Sequence, residues 1–269
     1  MKPHPPQPSG QLLFAGDPHG RFRRIFRAAE AMRPVAIILL GDNQPRADGV
    51  LAGLDRLAPV HYILGNHDPD GVTRGSDGCL YCPSLRRHRE ELPPQRDLSG
   101  RGATLGGYRV AGLGGTFRGR VWDPAKGLPR YRERNRAMAD PGFRAQRGCA
   151  TDWDWPGADQ GPPVELWGAV WPEDYTALWG RPADILISHE APECYRADAD
   201  PALARGLEIG ELARSMGAAT LVHGHHHTAY RATMEGGITV MGLHKVAQPK
   251  EQREERLQDL CDEWGAVVC

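Results

Sequence analysis

No apolar stretch in this 269-residue sequence is long enough to cross a bilayer. The longest clean run, Val35 to Leu40, falls far short of the about 20 residues a membrane helix needs. The first ten residues, MKPHPPQPSG, hold four prolines and lack the apolar core of a secretory signal. These absences predict no membrane association, a cytoplasmic location, and a disordered lead-in over residues 1–10. A charge excess is also missing: 33 basic residues face 34 acidic ones, for a net charge of −1. That excludes a surface built as a whole for nucleic acid, while leaving room for a local basic patch. Lysine is scarce, with four residues at positions 2, 126, 245 and 250, so nearly every cation is arginine. The six cysteines are scattered and read as reduced thiols, with no disulfide framework. Cys79 and Cys82 have the spacing of half a zinc knuckle, with Cys149 or His88 as partners, but no second Cys-x-x-Cys completes it. Histidine is what the sequence holds in plenty. There are eleven, four of them between His223 and His227.

Past the lead-in, strand-like and helix-like segments alternate. Leu12 to Ala15 is a short apolar run ending in Gly-Asp. Phe22, Ile25, Phe26, Ala29 and Met32 follow at helical spacing until Pro34 stops them. Val35 to Leu40 is a buried strand that also ends in Gly-Asp, and Val50 to Leu57 suggests a second helix. Val60 to Leu64 is a third strand, ending in Gly65-Asn66-His67-Asp68. This βαβαβ order, at roughly 25 residues per unit, suits a parallel sheet. Each polar signature then lies at the carboxyl edge of its strand, where open parallel sheets bind ligands.

Residues 70–103 carry little pattern, and Tyr108 to Leu113 reads as a strand followed by a Gly-Gly turn. Residues 117–181 have a different composition: five of the seven tryptophans lie between 153 and 179, and 118–147 holds nine basic residues against three acidic. We read 117–181 as an insertion or cap on a core domain spanning 11–249. Its Arg and Trp residues are suited to gripping a nucleotide or single-stranded nucleic acid, or to forming a small core of their own. A strand at Ala183 to Ser188 leads to His189. A helix at Leu207 to Met216 ends at Gly217, and a strand at Ala219 to Val222 runs into the histidine cluster. Tyr230 to Met234 and Ile238 to Leu243 read as a hairpin, and 250–269 as a C-terminal helix docked by Leu257, Leu260, Cys261 and Trp264.

Five strand ends therefore carry Asp17-Pro-His19, Gly41-Asp42, Gly65-Asn66-His67-Asp68, Ser188-His189-Glu190 and Gly224-His225-His226-His227. Each is common alone. Together they offer carboxylate, imidazole and amide oxygen, a donor set that suits Mn²⁺, Fe or Zn²⁺. A two-metal site needs one carboxylate between ions roughly 3.5–4 Å apart.

In this order the motifs D-x-H, G-D, G-N-H-D, a separate His and G-H-x-H resemble those of the calcineurin-like metallophosphoesterases, and they extend from Asp17 to His227. The resemblance implies a four-layer αββα sandwich that hydrolyses a phosphomonoester or phosphodiester with two divalent ions, Mn²⁺ first among Mn²⁺, Fe, Zn²⁺ and Ni²⁺. It implies Asp17, His19 and His227 on the first metal, Asp42 bridging, and Asn66, His189 and His225 on the second. His67 would face the phosphate as general acid, and Asp68 would orient His67 or simply cap the following turn. His223 is a supporting candidate behind the ligands, and His226 is expected to point away. The family's Ser/Thr phosphatases carry G-D-x-x-D-R, whereas Pro45 stands here in place of the second Asp. That weakens the protein-phosphatase alternative; Arg46 remains a candidate phosphate contact. A nuclease or RNA-processing phosphodiesterase is the other alternative. A non-catalytic scaffold is disfavoured because no ligand of the motif set is missing.

Overall fold

The computed structural model describes residues 10–74, 80–129, 131–140, 166–193 and 206–246. The proposed C-terminal helix, Cys79, Cys149, Trp153 and Trp155 lie outside them. Three parallel strands, β1 (Leu12–Ala15), β2 (Ala36–Leu40) and β3 (Val60–Ile63), form one sheet in that order. They are linked by α1 (Arg23–Met32) and α2 (Val50–Asp55). Every residue of the three strands is buried, as a sheet covered on both faces requires, and this is why the runs are continuously apolar.

A short pair, β4 (Thr73–Arg74) and β5 (Leu80–Tyr81), precedes α3 (Pro83–Glu91). The second sheet takes β6 (Arg101–Leu105), β7 (Tyr108–Leu113), β8 (Ile185–Ser188), β9 (Thr220–His223), β10 (Tyr230–Thr233) and β11 (Thr239–Gly242). Its order is β10-β11-β9-β8-β7-β6; the four middle strands are parallel, and each edge strand is an antiparallel hairpin partner. Two further helices are α4 (Arg134–Ala139) and α5 (Pro172–Leu178), and α6 (Leu207–Met216) ends at Gly217 in the left-handed conformation.

Strand alternation builds the layers. Leu12, Phe14, Ile38, Leu40 and Ile63 face Val110, Ile185, Ile187 and Val222, so the two sheets pack face to face. The opposite faces, Leu13, Ile37, Leu39 and Val60, bury Ile25, Ala28, Leu51, Leu54 and Leu85 of α1, α2 and α3. Leu113, Leu186, Leu221 and Val240 bury Ile209, Leu212 and Met216 of α6. The result is the αββα sandwich.

Two elements fall where the sequence carries little pattern. Helix α3 buries just Ser84, Leu85 and His88, too few for a hydrophobic period, and starts on a proline at its first position, where proline is tolerated. Strand β6 is largely exposed at an edge. Within the described part of 117–181, Val121, Ala137, Leu166, Ala169 and Trp171 form a small cluster. Phe117, Val170 and Leu178 join the core of the second sheet, while Trp179 is half exposed. No helix of the described residues is long and apolar enough to cross a membrane.

Candidate metal centre

The carboxyl ends of β1, β2, β3, β8 and β9 converge on one edge, and the turns that follow them are unusual. Asp17, His19, Asp42, His225 and His227 all have positive φ, between 46° and 70°. None is glycine, and each such residue costs on the order of 1–3 kcal/mol. The strain aims five polar side chains inward from chain reversals at the sheet edge. Gly65 makes the close approach possible: a Cβ there would stand 2.3 Å from the Asp42 backbone nitrogen and from Asp42 Oδ1.

Besides Glu190, His225 and His226, two groups of ligand-type atoms result, each within 4.8 Å of one another: Asp17, His19, Asp42 and His227, and Asp42, His189 and His225. Asp42 belongs to both. In the first group His19 Nε2 is 3.3 Å from His227 Nε2 and 3.9 Å from Asp42 Oδ2, and His227 Nε2 is 3.7 Å from Asp17 Oδ1. In the second, His189 Nε2 is 3.5 Å from Asp42 Oδ1 and 3.0 Å from Asn66 Oδ1, which brings Asn66 to this group. His189 Nδ1 donates to the Leu40 carbonyl at 2.7 Å, leaving Nε2 as its inward atom, and outer hydrogen bonds of this kind orient metal-binding imidazoles.

The profile of the calcineurin-like phosphoesterase family matches residues 10–229. The chain belongs to that family. An uncharacterized protein of Haemophilus influenzae is 31% identical over 244 residues, covering 88% of this chain and 92% of its own length. A dimetal phosphatase from Danio rerio has the same fold, with a TM-score of 0.50 at 16% identity, over 89% of this chain and 88% of its own.

The buried acidic and imidazole groups of this centre shift one another's titration. Burial and the neighbouring Asp42 push the Asp17 carboxyl up to about 7, against the opposing effect of His189. Burial acts the same way on Asp42, but His189 and the His67 N–H outweigh it and hold Asp42 well below the usual carboxylate range. His189 is buried, which lowers its pKa, yet Asp42 and Asp17 raise it to about 10. Asp42 Oδ1 accepts from the His67 N–H at 2.7 Å, whereas the buried Asp42 Oδ2 has no hydrogen-bond partner among the described residues. A buried carboxylate oxygen without a donor is what a metal ligand leaves behind, so carboxylate, imidazole and amide oxygen together fit divalent ions.

The remaining candidates fall differently. His67 is half exposed, its ring centroid 5.8 Å from that of His19. Asp68 is fully buried and serves the backbone: it accepts from Gly65 N at 2.7 Å, Gln44 N at 2.9 Å and Asn43 Nδ2 at 3.5 Å. The carboxylate on His67 Nδ1 is that of Asp70, at 2.6 Å. This corrects the expectation that Asp68 orients His67: the turn after β3 directs Asp68 inward and Asp70 back over the imidazole. His223 is buried and neutral, held by the Gly224 carbonyl and by Tyr230 Oη at 2.7 Å, and burial lowers its pKa to about 3. Arg46 is exposed and lies against Gly20, next to His19.

His226 does not point away. Its ring centroid is 4.7 Å from that of His225, and its Nε2 is 3.5 Å from Glu190 Oε1. The left-handed turns at His225 and His227 break the simple alternation that expectation assumed. Cys82 is a buried free thiol that donates toward the Asp68 and Asp70 carbonyls. Gln44 and Arg118 had no signal in the motifs. Gln44 Oε1 accepts from His19 Nδ1 at 3.0 Å, and its Nε2 donates to the His67 carbonyl. Arg118 donates to the Asn66 carbonyl at 3.2 Å, bringing a guanidinium to the rim.

Proposed function

We propose that the protein hydrolyses phosphoric esters with two divalent ions, Mn²⁺ foremost, held by Asp17, His19, Asp42 and His227 on one side and Asp42, Asn66, His189 and His225 on the other. The observation that carries this reading is Asp42: it is shared by both ligand groups, and one of its oxygens is buried without a donor. Bound there, the ions would neutralise phosphate charge and acidify the attacking water.

The chain's own groups complete the site. Asp70 fixes a proton on His67 Nδ1, so Nε2 is the atom left to deliver a proton to the departing ester oxygen. General acid help of this kind is worth typically 10²–10⁴-fold. Gln44 ties the His19 and His67 loops together, holding imidazole and ligands in one register. Arg118 at the rim offers a bidentate partner to an anionic substrate.

A panel of bis-p-nitrophenyl phosphate, p-nitrophenyl phosphate, nucleotides and short RNA and DNA, each with Mn²⁺, Ni²⁺, Zn²⁺ and Mg²⁺, tests the proposal. Absence of hydrolysis across the whole panel overturns it. The position of Arg118, in the Arg-rich stretch, supports the nuclease reading as the second choice. Binding of nucleic acid there would weaken steeply with added salt, whereas turnover of a small ester would change little.

A further inference from the structure

Beside the metal centre lies a cavity of about 460 Å³, within the size range of small-molecule sites. Tyr62 and Leu64 line it from β3 and the turn beyond, His88 and Arg89 from α3, and Trp167 from the 117–181 region. One thickness of chain separates it from the ligands. Leu64 lines the cavity, and two residues on Asn66 faces His189. On the other side, Gly168 sits between the lining residues Trp167 and Ala169. A Cβ on Gly168 would stand 2.5 Å from the Gly65 carbonyl oxygen and 2.7 Å from Asn66 Cα. This wall keeps an occupant of the cavity away from the metal-binding carboxylates.

The lining is not that of a packing void. Three arginines line the cavity: Arg134 is paired with the lining carboxylates Glu173 and Asp174, while Arg89 and Arg101 bring two further guanidiniums, the group best shaped to take a phosphate by paired hydrogen bonds. The Arg89 guanidinium lies 4.5 Å from the centroid of the Trp167 ring, and Tyr62, its ring packed 4.6 Å from that of His88, is a second aromatic residue of the lining. Acceptors are present as well. His88 is 1% exposed, and its Nδ1 donates to the Ser84 carbonyl at 2.9 Å, so Nε2 carries the lone pair. That Nε2 has no hydrogen-bond partner among the described residues. The carboxylate of Asp97 lines the cavity too. Cations for an anionic group, rings for a planar one and acceptors for an N–H edge are the three requirements of one ligand class.

We propose that this cavity binds a nucleoside monophosphate whose base carries an amino group, at a site separate from the metal centre. The phosphate would lie on Arg89 and Arg101, the base against Trp167 and Tyr62, and the amino edge toward His88 and Asp97.

Isothermal titration of the full chain with AMP, CMP, UMP and inorganic phosphate tests this, with the protein loaded with Mn²⁺ and again after chelation. The proposal expects one equivalent of AMP or CMP to bind the chelated protein and at least that one once Mn²⁺ is restored, and UMP to bind the chelated protein more weakly because it lacks the amino group. Arg89→Ala should weaken binding about tenfold, as loss of a charge-assisted hydrogen bond does. His67→Ala should leave binding unchanged. Arg101→Ala, at an exposed position, repeats the test if a melting curve shows that Arg89→Ala has disturbed the fold. Failure of AMP and CMP to bind, binding that vanishes on chelation, or affinity unaltered by both arginine substitutions would overturn the site. UMP binding as tightly as CMP would overturn the assignment of His88 and Asp97.

Discussion

Asp70 Oδ2 lies 2.6 Å from His67 Nδ1, at the exposed face of the metal centre. The G-D-x-x-D-R motif of the family's protein phosphatases has its second aspartate at the position held here by Pro45, and the carboxylate on His67 comes instead from Asp70. If Asp70 sets the orientation of a general acid, Asp70→Asn should slow hydrolysis of alkyl phosphates about 10–100-fold. p-Nitrophenyl esters, whose leaving group needs little protonation, should be far less affected. Steady-state rates across a series of leaving groups check this; an equal loss across the series contradicts it.

Asp68 behaves as a buried structural carboxylate. Removing it in Asp68→Ala strands the N–H groups of Gly65 and Gln44 and the amide of Asn43, a loss of roughly 3 kcal/mol. Urea denaturation should show a lower midpoint for Asp68→Ala than for Asp70→Ala, whose side chain is half exposed.

Gly65→Ala should be nearly inactive while remaining folded. The new methyl would meet the Asp42 backbone and carboxylate, and a displacement of about 1 Å at a reacting centre costs about 10²-fold in rate. Bound metal, measured alongside rate, should fall with it.

Much of this centre could be read from strand ends, because a ligand loop directly after an apolar run is a local pattern. Asp17, Asp42, Asn66 and His189 were visible for that reason. Asp70 was not: a loop aspartate three residues after a histidine looks like any turn residue, and the chain path alone brings it back over the ring. Gln44, Arg118 and the Glu190–His226 contact likewise depend on how separate loops meet. The positive φ at five non-glycine ligand positions could not be read either: aspartate and histidine adopt it more readily than most residues, but nothing local marks which of them do. In the fold, the buried strands announced themselves, while α3, with its polar face and few buried residues, did not.

His61 gives a pH signature of stability away from the metal centre. Burial, with the charge of Arg96 beside it, lowers its pKa from 6.5 to about 4, and Arg96 Nη1 donates to its Nε2 at 3.0 Å. The unfolded chain takes up a proton near 6.5 that the folded protein refuses until about 4. Stability from this residue is therefore complete above pH 6.5 and falls as pH drops toward 4. In His61→Gln, denaturation midpoints should decline less steeply across that window than in the wild type.

The most direct test of the central claim is metal content measured together with hydrolysis of bis-p-nitrophenyl phosphate as Mn²⁺ is added to chelated protein, for the wild type and for Asp42→Asn. Asp42 as the shared ligand predicts activity that rises to a plateau at two ions per chain, and a variant that loses both metal and rate. A wild type active without divalent ions, or an Asp42→Asn protein that retains two ions and full activity, would contradict it.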